Sequence, residues 1–136
     1  MIPAPGRTLT DLAMRLMLGI APQTTTTFAA ADCGLIAQLL LTMGQEFERA
    51  VDTRMQDIHE LKALFGTAPA DAARARFMGA TPASLHLRDV NALHDEGMQL
   101  LAILHAQAEA DDAALNARIW AFLRAHSERH KFETLG

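Results

Sequence analysis

Between residues 28 and 65 the chain has neither proline nor a turn cluster, and Ile36, Leu40, Met43, Phe47, Val51, Ile58, Leu61 and Phe65 recur along it. Their spacing of about 3.6 residues is the period of one face of a straight helix, not the shorter period of a coiled coil. The pattern predicts a single long helix over about 28–65. Its two halves differ. From Ala29 to Leu41 almost every position is apolar, which predicts a central segment buried on most sides. From Gln45 onward, Glu46, Glu48, Arg49, Asp52, Asp57, Glu60 and Lys62 predict a solvent-facing side opposite the apolar line. Gly34 and Gly44 sit within the run at a cost of about 1 kcal/mol each relative to alanine. Either the close approach of a second backbone or a bend accounts for them.

On the N-terminal side, residues 1–6 read as a flexible lead-in. Leu9, Leu12, Ala13, Leu16 and Ile20 then form the packing face of a short helix that Thr8 or Thr10 caps and Pro22 ends. The threonines of 24–27 offer caps for the long helix. Beyond Phe65, Gly66 reads as a stop, and Pro69 with Asp71 starts a short helix to about Met78. Thr81 and Pro82 open a helix to about Ala108, with Leu87, Val90, Leu93, Met98, Leu101 and Leu104 as its apolar arc. Asp111 and Asp112 favour a new helix start, and Leu115, Ile119, Phe122 and Leu123 are the buried positions of that last helix, with Trp120 off their line. Arg124, Arg129 and Lys131 fall near its end, where cations complement the helix dipole. No strand alternation or internal repeat is present. The expectation is an all-α helical bundle, one domain over 1–136, organised around one long central helix with two further long helices and one or two short ones.

Composition narrows the setting. The formal net charge of -4 argues against a general affinity for nucleic acid, which needs a concentrated basic surface. Cys33 is the single cysteine, so no internal disulfide forms; a reducing compartment and a buried structural thiol follow as expectations. Asp11 and Arg15 interrupt any export-signal core, and Asp32 and Gln38 break the densest apolar stretch. A soluble cytoplasmic protein with no membrane partner is expected.

No glycine-rich phosphate loop, CxxC, HExxH or GxSxG occurs. The paired Glu-x-x-His of di-metal bundles is missing too: Gln56-x-x-His59 and Asn91-x-x-His94 have the spacing but carry an amide in place of the carboxylate. Neither a cofactor nor a catalytic residue is called for. The irregularity is on the helical wheels, where Arg54, His94, His105, His126 and His130 all fall within apolar arcs. A cationic or titratable group facing a core is costly without a partner, so these five are the candidate ligand-binding residues. His94 and His105 stand about 16 Å apart along a straight helix, too far to share an ion, whereas His126 and His130 are one turn apart. No third ligand lies near them in sequence, so no metal is assigned.

Two functional readings result. The first is a helical bundle that acts by self-association or partner binding without catalysis; the alternative is a ligand-binding bundle with an interior polar pocket for a small anion or metal ion. The first carries a homodimer with it. A helix over 28–65 would be about 57 Å long, against about 35–40 Å for a compact domain of this size, so its apolar face outruns the helices available to cover it.

Overall fold

The computed structural model describes residues 4–134, which are helical with no strand among them. The elements are α1 (Pro5–Arg15), a π turn (Leu16–Ile20), a 3-10 turn (Ala21–Gln23), α2 (Thr27–Gly66), α3 (Ala72–Gly79), α4 (Leu87–Asp111) and α5 (Ala113–Arg129). The all-α architecture with one long helix is therefore as its periodicity requires. The residues cluster into two compact units, one running to Ala50 and resuming at Phe132, the other Val51–Lys131. The boundary falls inside α2.

In the first unit, residues 1–3 of the expected lead-in lie outside the described residues, and the helix already begins at Pro5, a residue whose fixed φ and missing N–H suit a first turn. Thr8 and Thr10 do not cap it. Their hydroxyls donate back to the carbonyls of Ala4 and Gly6, each at 3.1 Å, one turn earlier. Thr26 does cap α2, accepting from the Ala29 amide at 3.1 Å. Gly44 answers to close approach: a Cβ there would stand 2.9 Å from the Gly6 carbonyl oxygen and 3.2 Å from the Thr10 hydroxyl. The helix continues through it unbroken. Beyond α5, Gln45 and Glu133 exchange two hydrogen bonds, of 3.0 and 2.8 Å, and the Arg49 guanidinium lies over the Phe132 ring at 4.7 Å.

Burial along α2 is the reverse of the expectation. Phe28, Leu35, Ile36, Leu39, Met43 and Phe47 are exposed, and the unit's buried residues are Gly6, Ala13, Ala37, Gly44 and Ala50. The physical reason is supply: α1 and the turns after it bring Leu12, Leu16 and Ile20 to one side of α2, against Ile36 and Leu40, and leave the rest uncovered. Cys33, expected to be buried, is half-buried with a free thiol. By length and composition α2 could cross a bilayer, despite Asp32 and Gln38, and only 11% of its most apolar window is buried.

The second unit holds the core. Ile58, Leu61 and Phe65 of α2 pack with Phe77 of α3, with Val90, Leu93, Leu101 and Leu104 of α4, and with Leu115, Ile119 and Phe122 of α5. Phe65 and Phe77 meet edge-on at 5.5 Å. Gly97 makes this possible, because a Cβ on it would lie 2.6 Å from the Phe77 ring and 2.9 Å from Leu61 Cδ1. Asp71 and Asp112 cap α3 and α5, accepting from the amides of Arg74 and Leu115 at 2.9 Å each. The fourth helix starts at Leu87, not at Thr81. Ser84 donates to Asp89 at 2.6 Å and accepts from the His86 amide at 3.1 Å, which holds the preceding residues in bends, and Leu87 itself is exposed rather than part of the core.

Candidate metal centre

Asp57 was expected on the wet side of α2, yet its side chain is 0% exposed. Its neighbours one turn away, Thr53 and Leu61, are buried as well, so this line of the helix faces α4 and α5 inside the second unit. Three imidazoles reach it. His94 Nε2 of α4 lies 3.0 Å from Asp57 Oδ2, His126 Nδ1 of α5 lies 2.8 Å from it, and His130 Nε2, at the end of α5, lies 2.7 Å from it. The four atoms are all within 4.8 Å of one another.

The other carboxylate oxygen is taken by Arg129. Its Nη1 donates to Asp57 Oδ1 and its Nη2 to Glu60 Oε1, one helical turn along α2 from Asp57. Asp57 Oδ2 is thereby left as the oxygen facing the rings. Stacking fixes the rings: His94 and His126 are 5.9 Å apart between centroids, and Phe122 lies against His126 at 6.0 Å. His94 Nδ1 stands 3.6 Å from the Asp95 carboxylate.

Burial works against ionisation of Asp57, but hydrogen bonds from His94, His130 and His126, with the charge of His126, hold its carboxyl well below the ordinary value of 3.8. For Arg129, burial opposes the charge, and the Glu60 hydrogen bond and the nearby Asp57 outweigh it, raising the guanidinium above its ordinary value. Asp57, itself fully buried, therefore presents an ionised oxygen to three ring nitrogens, of which those of His126 and His130 belong to side chains 24% exposed.

Of the five residues singled out on the helical wheels, the structure places His94, His126 and His130 together. His105 is elsewhere on α4, 3.1 Å from the Asn116 side-chain oxygen and edge-on to Trp120 at 5.3 Å. Arg54 is half-buried on α2. Sequence reasoning missed Asp57, Arg129 and Glu60. A signal for the first existed: Asp57 is four residues from Leu61 on the apolar line, and its i-4 neighbour Thr53 is a small residue tolerable in a core. His59, of the Gln56-x-x-His59 spacing, is exposed and takes no part. No family model, no curated protein and no solved structure matches the chain.

Proposed function

We propose that Val51–Lys131 binds one divalent transition-metal ion, of which zinc is the best match, through Asp57 Oδ2, His94 Nε2, His126 Nδ1 and His130 Nε2. The observation that carries this is the convergence of three ring nitrogens from two helices on one carboxylate oxygen of a third. A carboxylate oxygen has two lone pairs, so three N–H donors crowd it; an ion takes one lone pair from each of the four atoms instead. Tetrahedral ligands at about 2.0–2.1 Å from zinc stand about 3.3–3.5 Å from one another. To reach that geometry the three nitrogens move a few tenths of an ångström outward from Asp57 Oδ2, now 2.7–3.0 Å away, and those of the four atoms that stand up to 4.8 Å apart draw together. The sulfur-free N3O set suits zinc, cobalt or ferrous ions rather than cuprous copper. Four protein ligands complete a tetrahedron, so the ion's role is to tie α2, α4 and α5 together or to report its own presence.

The test is titration of metal-stripped protein with Co2+ and Zn2+. One equivalent is expected, with the visible absorption of tetrahedral cobalt, and His94→Ala or His126→Ala weakens binding at least about ten-fold. His105→Ala leaves it unchanged. No stoichiometric binding at micromolar ion, or binding indifferent to the ligand substitutions in variants that keep their helical circular dichroism, overturns the proposal and leaves the cluster a hydrogen-bond hub of the core.

A further inference from the structure

The exposed apolar face of α2 in the first unit carries a second inference, independent of the metal. Phe28, Leu35, Ile36, Leu39, Met43 and Phe47 are 82%, 60%, 42%, 54%, 58% and 61% exposed and fall on one side of the helix. At about 200 Å² for a fully exposed side chain of this size, they present about 700 Å² of apolar surface. A soluble monomer seldom leaves so large a contiguous patch uncovered. It is close to the ~800 Å² that each partner contributes to a standard protein interface.

The unit lacks what the face needs. Its buried residues are glycine and alanine, with no bulky side chain among them, so its large apolar residues are half-buried or exposed. A domain core cut in half looks like this, and such a surface is the mark of an obligate homodimer. We infer that the second half is another copy of the same chain, laid with residues 28–47 of α2 against residues 28–47 of its partner. A two-fold pairing of one patch with itself closes and leaves no further copy to add. Lipid is the other apolar cover available, and Asp32 disfavours it. This exposed carboxylate lies on the same arc, between Phe28 and Leu35, and a carboxylate turned toward hydrocarbon costs up to about 3 kcal/mol, the value at the middle of a bilayer.

Light scattering on the full chain at 5–50 μM, concentrations chosen as typical for this measurement, should give twice the chain mass of 14.8 kDa. The double substitution Leu35→Glu with Leu39→Glu should halve it, while Leu85→Glu, exposed in the other unit, should not. Since the glutamates can also unfold the segment, cysteine cross-linking supplies a second readout. Leu39 is near the middle of the patch, so two copies bring it close in either orientation. With Cys33→Ser, Leu39→Cys should oxidise to a covalent dimer and Leu85→Cys should not. A monomeric wild type overturns the inference, as does cross-linking that is equal at the two positions. A wild type that is monomeric in solution and partitions onto phospholipid vesicles overturns it in favour of lipid.

Discussion

Removing the Asp57 side chain leaves Arg129 and three imidazoles facing one another across a buried space. The Arg129 side chain is 11% exposed and keeps Glu60 as a carboxylate partner. Breaking a buried ion pair from one side costs about 3–5 kcal/mol, because the remaining charge is uncompensated. Asp57→Ala is expected to fall in that range by urea unfolding of the metal-stripped protein. The same residue gives a pH dependence. Its carboxyl is held below 3.8 in the fold, so the unfolded chain takes up the proton first. The stability Asp57 confers is complete above 3.8 and is lost as pH falls from there through the folded value. Wild type should therefore approach Asp57→Asn in stability as the pH drops below 3.8, and a gap that stays constant down to pH 2 would contradict this assignment. The histidines were visible in the sequence as polar residues on apolar arcs. The carboxylate that gathers three of them was not, because on a helical wheel Asp57 borders both the apolar line and the charged side. Only the packing of α4 and α5 decides between these.

At the level of elements, the ends set by local chemistry were readable and those set by longer-range contacts were not. Asp71 and Asp112 cap through an amide three residues on, a contact the chain makes with itself. Asp112→Ala should cost about 1 kcal/mol. Thr81 and Pro82 have the same local credentials, but Ser84 and Asp89 bond each other across the turn and move the helix start to Leu87. Glycines divide in the same way. Gly97 gives no sequence signal beyond its presence in a helix, yet it admits Phe77 and Leu61, both 0% exposed, onto the α4 backbone. Gly97→Ala trades about 1 kcal/mol of improved helix propensity for a clash with two core side chains, and overpacking of that kind costs about 1–3 kcal/mol. Net destabilisation is expected in thermal or urea unfolding. A variant more stable than wild type would show that Phe77 has room to retreat.

For the whole molecule, a helical period states that a face is apolar without stating what covers it. The architecture was legible for this reason, while the burial of α2 was reversed: its charged half carries the core, and its apolar half is exposed within one chain. The two proposals fall on opposite sides of that division. All four proposed metal ligands belong to Val51–Lys131, and the six residues of the apolar face all precede Ala50. An ion that binds only the folded state stabilises it by about 2.7 kcal/mol at a hundred times its dissociation constant. A chelator should therefore lower the melting temperature of wild type, and Leu35→Glu with Leu39→Glu should leave the stoichiometry of one cobalt per chain unchanged. Conversely, His126→Ala with His130→Ala should abolish the chelator's effect and leave the mass at twice 14.8 kDa. If either pair of substitutions removes both properties in a chain that is still helical, ion and partner are linked through the continuous helix α2. Measuring cobalt affinity across the concentration range of dissociation then gives that coupling directly, since linkage requires each to shift the other by the same factor.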